Sequence, residues 1–236
     1  MLDEAQPAAS LILMRDRRSG PPELLIVQRS AVLAFAAGAY AFPGGRVDPD
    51  DCAAAARLCP HLEPEQGAAR MAAVRETWEE TRISVGLHPP PSAGGAALQA
   101  AEVRFEAGAL IPFARWLPQE KVVRRFDTRF YLAQATDEVE PVADGVETAH
   151  AFWATATEVL ERCRGGEGRA IFPTRRLLER LARFPRFADA RAEAEHLPQR
   201  IITPWVEQRA DGAWLRIPAD AGYPVTEERV ETAMRY

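Results

Sequence analysis

The sequence predicts an α+β fold built on a mixed sheet, and three observations predict it. Short apolar runs of strand length recur along the chain, at Ser10–Met14, Glu23–Arg29 and Leu110–Trp116. Between Phe126 and Phe130, apolar and polar residues alternate with the period of a half-buried strand. Helical runs at Glu65–Thr81, Thr174–Arg183 and Phe187–His196 do not alternate one for one with the strands. The expected arrangement puts the Glu-rich helix on one face of the sheet and the C-terminal helices elsewhere.

Taken in order, Ser10–Met14 and ELLIVQR at Glu23–Arg29 form neighbouring strands, because Gly20-Pro21-Pro22 between them is turn chemistry. Ala31–Tyr40 is an Ala-rich loop that leads into Phe42-Pro43-Gly44-Gly45. Pro-Gly-Gly ends any regular element, and its glycines let backbone approach a ligand or a helix closely. Alone, such a tripeptide is more often a turn than a site. The first half of Asp50–Gly67 predicts a short helix that Pro60 stops. Pro64 and Glu65 suit the first turn of the next helix, which runs to Thr81.

Leu87–Gly95 reads as a surface linker and Ala96–Phe105 as a helix. Strands follow at Leu110–Trp116, Arg124–Ala133 and Glu147–Ala154, with an acidic loop at Ala135–Gly145. Thr157 is the expected N-cap of a helix to Arg164. Leu177, Leu178 and Leu181 form the stripe of a further helix. Asp211-Gly212 between alternating runs signals a hairpin, and the segment after it reads as a tail. The expected organisation is one domain over 1–172 with an extension over 173–236 packed on it.

The helix over Glu65–Thr81 carries the chemistry. At about 100° per residue, Met71, Val74 and Trp78 fall on one side as a core-facing stripe. Glu76, Glu79 and Glu80 cluster within roughly 100° of arc on the other. One reading is a solvated face with an Arg75–Glu79 pair one turn apart. The other is a set of oxygen ligands whose repulsion a hard divalent cation such as Mg²⁺ or Mn²⁺ relieves.

Composition narrows the classes. The 236 residues carry 29 basic and 34 acidic groups, for a net charge of −5. That leaves no electrostatic footprint for nucleic acid and no polybasic membrane patch. Cys52, Cys59 and Cys163 form no C-x-x-C pair, and the four histidines have no metal-ligand spacing. The N-terminal residues lack the order of a signal peptide, and no apolar run reaches the length of a membrane span. A cytoplasmic setting is the expectation.

The order of strand, Pro-Gly-Gly, insert and R-E-x-x-E-E resembles the Nudix hydrolase family, whose signature reads G-x5-E-x7-R-E-U-x-E-E-x-G-U. Gly45 matches its glycine, and Arg75, Glu76, Glu79, Glu80 and Ile83 match its second half. Gly45 and Arg75 lie further apart than the signature allows, by about 16 residues, so an insert falls over about 50–66. The signature's first acidic position falls on Asp51 by count, with Glu65 the alternative after the insert. Arg82 stands where the family has a glycine that ends the helix, in the left-handed conformation that disfavours side chains by roughly 1 kcal/mol.

The insert, together with GAYAFPGGRVD, RRFDTRFYLA and ETAHAFW, resembles the branch that contains the peroxisomal coenzyme A diphosphatase and its bacterial relatives. Of the coenzyme A motif, Ser30, Gly38 and Phe42–Gly45 match, while Gln28 and Ala34 depart.

The resemblance implies a Nudix-type α/β/α sandwich with a mixed sheet, C-terminal helices and a hairpin tail. It implies hydrolysis of the pyrophosphate in a nucleoside diphosphate linked to another group, with coenzyme A or acyl-coenzyme A among the substrates. A catalytically weak nucleotide-binding or regulatory module is the alternative. In this reading Glu76, Glu79 and Glu80 ligate Mg²⁺ or Mn²⁺, with the backbone of Gly45 beside them. Glu76 or Glu80 orients or deprotonates the water, Arg75 holds Glu79, and Glu147 is a further candidate base. Arg29 and Arg125, with Arg124, are candidates for phosphate, and Gly44 and Gly45 for close backbone approach. Trp78, Trp116 and Trp153 read as core. A homodimer is among the assemblies that the resemblance allows.

Overall fold

A computed structural model describes residues 5–32, 36–91, 98, 102–119, 125–135, 139–198 and 200–233. In chain order these form β1 (Gln6–Arg15), β2 (Glu23–Arg29), β3 (Tyr40–Ala41), β4 (Gly44–Arg46), α1 (Pro49–Leu58) and α2 (Pro64–Thr81). Next come β5 (Leu87–His88), β6 (Arg104–Phe105), a 3-10 turn at Ala107–Ala109, β7 (Ile111–Trp116), β8 (Phe126–Gln134) and β9 (Thr148–Thr155). The rest is α3 (Ala156–Gly165), α4 (Phe172–Leu181), α5 (Phe187–His196), β10 (Ile201–Ile202), β11 (Trp205–Arg209), β12 (Gly212–Arg216), β13 (Glu227–Arg229) and α6 (Val230–Ala233).

The fold is the expected mixed α+β sandwich. Its main sheet runs β10-β7-β8-β1-β2-β3, with β4 also paired to β1 and β9 to β2. The β1–β8 and β10–β7 pairs are parallel and the others antiparallel. Alternation along β1 sends Leu11 and Leu13 to one face and Ile12 and Met14 to the other. Leu11 and Leu13 pack with Met71, Ala72 and Val74 of α2 and with Ala54 and Ala55 of α1. Ile12 and Met14 pack with Val159 of α3, with Leu177, Leu178 and Leu181 of α4, and with Ala190 of α5. Ile217, Tyr223 and Ala233 from the C-terminal segment belong to that same second layer.

The segment read as an insert, before α2, is largely the helix α1, which packs on α2. The two come close because Gly67 has no side chain: a Cβ there would sit 3.0 Å from that of Ala55. Asp48 caps α1, and Asp51 in its first turn accepts the Asp48 backbone N–H at 2.8 Å.

Several expectations are corrected. The N-cap of α3 is Thr155, not Thr157; its hydroxyl accepts from the Glu158 N–H while the Glu158 carboxylate accepts from the Thr155 N–H. Arg104–Phe105 is a short strand paired with Leu87–His88, not the end of a helix, and the linker reading fails at the buried Leu87. The remainder of that expected helix falls largely outside the described residues. The segment after the hairpin is no loose tail. Its Glu227–Arg229 adds a third strand to the hairpin, and the Tyr223 hydroxyl accepts from Trp116 Nε1 at 3.0 Å. Among the described residues, no helix is long and apolar enough to cross a membrane.

Candidate active site

Two backbone clamps fix Phe42-Pro43-Gly44-Gly45 at the sheet edge beside α2. The Pro43 carbonyl accepts from the Leu11 N–H at 2.9 Å and from the Ser10 hydroxyl at 2.8 Å. Gly44 and Gly45 then pair with Ser10 and Ala9 of β1. Neither glycine has room for a methyl group. A Cβ on Gly44 would lie 2.4 Å from the Ala9 carbonyl oxygen, and one on Gly45 would lie 2.2 Å from Glu76 Oε1. The Gly44 N–H donates to Glu80 Oε2 at 3.1 Å.

Arg75 is the hub on α2. Its Nε and Nη2 donate to Asp51 Oδ1 and Oδ2 at 3.0 and 2.9 Å. Its Nη1 donates to Glu76 Oε1 at 3.0 Å and to Glu79 Oε2 at 2.9 Å, and Nη2 also reaches the Arg46 carbonyl at 3.1 Å. Burial alone would lower the Arg75 pKa. Hydrogen bonding to Asp51 and the charges of Glu76, Asp51 and Glu79 override that and raise it.

The three glutamates are not equivalent, which disfavours the reading of one solvated face. Glu79 is exposed, Glu76 half-buried, and Glu80 only 4% exposed. Burial pushes the Glu76 carboxyl up to about 7, with Glu79 and Glu147 adding to the rise and Arg75 opposing it. Burial pushes Glu80 up to about 8, with repulsion from Glu76 and Asp144 adding to it; the Gly44 N–H and Arg29 act the other way. Among the described residues, no three Asp, Glu, His or Cys side chains close on a single point as a ready cation cage. The donor set still fits a hard divalent cation, because Glu76 and Glu80 are buried oxygen donors that repel each other.

These residues line a cleft of about 1070 Å³. Glu76, Glu79, Glu80, Gly44, Gly45, Arg29, Arg125 and Glu147 all border it, so the fold brings these eight predicted residues to one cavity. Arg125 Nε also donates to the Pro118 carbonyl at 3.0 Å, and Arg124 lies outside the described residues. Asp51 occupies the partner position of Arg75, whereas Glu65 pairs with Arg129 at 2.9 Å. Arg82 takes the left-handed cap conformation, with φ 61° and ψ 16°. Trp116 is core, Trp78 packs against the α1–α2 layer, and Arg15 stacks 4.3 Å from the Trp153 ring centroid.

Three contributors escaped the sequence reading. Asp144 borders the cleft and accepts the N–H groups of Val146, Glu147 and Thr148, which ties down the backbone that presents Glu147. Its signal is Asp-Gly just ahead of a strand, read only as part of an acidic loop. Ile171 and Thr174, at the start of α4, also border the cleft. Only the topology, which folds α4 over the sheet, brings them there.

The chain is similar to a NUDIX hydrolase from Alicyclobacillus acidocaldarius, at 30% identity over 81% of this chain and 97% of that one, with a TM-score of 0.72. It also aligns with the NUDIX domain of Shewanella oneidensis NrtR complexed with ADP ribose, at 15% identity over 77% and 88% of the two chains and a TM-score of 0.48. A C. elegans Ap4A hydrolase aligns at 17% identity over 66% and 85%, with a TM-score of 0.41. No curated protein matches. The NUDIX domain model matches residues 4–174. With that match spanning most of the chain and the box glutamates gathered at one cleft, the chain belongs to the NUDIX domain family and is an enzyme of its pyrophosphohydrolase class.

Proposed function

We propose that this enzyme hydrolyses the pyrophosphate of a nucleoside diphosphate linked to a second group, with Mg²⁺ or Mn²⁺ held by Glu76, Glu79 and Glu80 beside the Gly45 backbone. The observation that carries the reading is the pair of half-buried Glu76 and buried Glu80, pressed against Gly44 and Gly45 in a cleft that also presents Arg29 and Arg125. Carboxylates repel a diphosphate, so a site of this charge takes one only with cations present. When bound, such a cation neutralises substrate charge and lowers the pKa of water.

The chain's own groups do the rest. Arg75 orients Glu76 and Glu79 through its hold on Asp51. Arg29 and Arg125 border the cleft as cations suited to phosphate oxygens. In this reading Glu147 accepts a proton from the attacking water; its backbone is held by the Asp144 turn, and its charge acts on Glu76, which supports the role.

Coenzyme A or an acyl-coenzyme A is the first substrate to test. The Ser30, Gly38 and Phe42–Gly45 matches support it, as does a cleft at the upper end of the usual small-ligand range of roughly 300–1,000 Å³. The experiment is a turnover panel of coenzyme A, NADH, ADP-ribose and dinucleoside polyphosphates with Mg²⁺ or Mn²⁺. Glu80→Gln should reduce turnover at least about 100-fold, while the neutral amide suits the buried site. Full activity in that variant overturns the mechanism. Tight binding across the panel without turnover would instead assign a nucleotide-binding module.

A further inference from the structure

The NUDIX match stops at residue 174, inside the first turn of α4, yet Ile171 and Thr174 at that end of the helix border the cleft. Leu177, Leu178 and Leu181 seat α4 on the sheet. Apolar packing is non-directional, so it settles which face is buried more firmly than where the helix end comes to rest. Direction comes from arginines that reach into the segment after α4. Arg175 Nη1 donates to Glu228 Oε1 at 2.7 Å, and its Nη2 to the Ala233 carbonyl at 3.2 Å. Arg176 Nη2 donates to Glu228 Oε2 at 3.3 Å and to Glu179 Oε1 at 2.8 Å. Further along, Arg180 Nε donates to Glu193 Oε1 at 2.8 Å, and Arg183 Nη1 to the Gly222 carbonyl at 3.1 Å.

Glu228 is the acceptor shared by the two residues that follow Thr174. It lies on β13 opposite Leu215 of β12, on the face turned to the core. Its neighbour Glu227 points to the other face, where it pairs with Arg209 and Arg216. Arg176 is 3% exposed, and its Nε and Nη1 have no hydrogen-bond partner among the described residues. Glu228 and Glu179, with the Phe172 ring centroid 5.0 Å away, are what offset its buried charge. Burial draws the Arg176 pKa down, and Glu179 and Glu228 oppose that. A buried ion pair adds little net stability over an apolar contact, but its loss strands a charge that the helix must move to solvate.

We propose that Glu228 is a positioning residue for substrate binding: by gripping Arg175 and Arg176 it fixes the end of α4 that walls the cleft. A strand outside the NUDIX match thereby sets how tightly the cleft holds its ligand, acting through α4. The inference rests on the cleft being the site of the proposed hydrolysis.

The test uses the full chain and α,β-methylene-ADP with Mg²⁺, a nucleoside diphosphate that resists cleavage between its phosphorus atoms. By titration calorimetry, Glu228→Gln should bind it about ten-fold more weakly than the native protein does. Glu227→Gln, on the opposite face of the same strand, should bind within about two-fold of native. Hydrogen exchange should quicken across the first turn of α4 in Glu228→Gln and not in Glu227→Gln. In turnover of the panel compound that the native protein cleaves fastest, Glu228→Gln should raise KM about ten-fold and leave kcat within a few-fold. Where Glu228→Gln fails to fold, Arg175→Lys keeps the charge, loses the forked pair of donors, and should weaken binding about three-fold. Native affinity in a folded Glu228→Gln, or an equal loss in Glu227→Gln, overturns the inference, as does unaltered exchange in α4. Glu228-dependent binding with no turnover of any pyrophosphate sinks the proposed hydrolysis and leaves the positioning role standing. A native protein that neither binds the analogue nor cleaves any panel compound removes both.

Discussion

Asp51 and Arg75 meet through two parallel hydrogen bonds, 3.0 and 2.9 Å long, across 24 residues of chain. Asp51 is wholly buried, and Arg75 is the residue that holds Glu76 and Glu79. Removing the carboxylate strands a guanidinium in a half-closed site. Asp51→Ala should lose about 3 kcal/mol of stability in urea unfolding and at least about ten-fold in kcat/KM. Glu65→Ala, which breaks an exposed pair with Arg129, should change stability by less than about 1 kcal/mol. Equal effects of the two would refute the assignment of Asp51 as the partner of Arg75.

Gly45→Ala tests how tightly the loop and Glu76 are fitted. The added methyl would sit 2.2 Å from Glu76 Oε1, and the carboxylate is the part able to move. Activity should fall by about 100-fold, with a change in melting temperature of only a few degrees, about 1 kcal/mol or less. Gly44→Ala meets backbone, 2.4 Å from the Ala9 carbonyl oxygen, and should destabilise the fold more than Gly45→Ala does.

The buried glutamates set a pH dependence whose sign is opposite to ordinary acid denaturation. Their folded pKa values, about 7 for Glu76 and about 8 for Glu80, lie above the ordinary 4.5. The native state therefore binds more protons than the unfolded chain between those values. Its stability is full below 4.5 and falls as pH rises through about 7 and 8. In chelator, the melting temperature of the native protein should drop between about pH 5 and about pH 9 more steeply than that of Glu80→Gln. Mg²⁺ should flatten the difference by favouring the charged carboxylates. A parallel pH profile for the two proteins would refute the burial argument.

Arg82→Gly should stabilise. Arg82 sits at φ 61°, where a glycine carries no steric penalty, and the arginine's own contacts are weak: a 3.4 Å bond to the Trp78 carbonyl and a guanidinium 5.9 Å from the Trp78 ring centroid. The gain should be up to about 1 kcal/mol, or about 2–4 °C in melting temperature. Arg82→Ala keeps the strain, loses the contacts and should show no gain. A loss of stability in the glycine variant would show that those contacts outweigh the strain.

Glu147→Gln should lower kcat by about 100-fold or more while KM stays within a few-fold, the pattern of a lost general base. Asp144→Ala frees the three N–H groups that hold the Glu147 backbone and should move kcat in the same direction by a smaller factor. An unaltered kcat in Glu147→Gln would place the base elsewhere on the cleft.

Local chemistry made much of this molecule readable in advance. The periodicity of Met71 and Val74, the breakers Pro60 and Pro43-Gly44-Gly45, and the alternation at Phe126–Phe130 each report on their own neighbourhood, and each element lies where they place it. The box order likewise named Gly45, Glu76, Glu79 and Glu80, which border the cleft. What stayed hidden depends on distant partners. No periodicity tells that Glu80 is buried and Glu79 exposed, because the difference is made by Gly44 on a separate strand. Thr155 and Thr157 look alike as caps until Glu158 is counted three residues on from the first. Thr174 reads as an ordinary first-turn threonine, and only the crossing of α4 over the sheet opens it to the cleft.

The Trp116–Tyr223 hydrogen bond has a consequence for how the chain is made. The layer that carries the glutamates draws its fully buried apolar residues from Ala9 to Ala133, whereas the other layer draws them from Ile12 to Ala233. A chain emerging N-terminus first can therefore complete the glutamate-bearing side of the sheet while the Ile12–Met14 side still faces water. That bare surface is covered in stages, by Val159, Leu177 and Ala190 first and around Trp116 by Tyr223 last, so a product released before those helices would be drawn to chaperones or to aggregates.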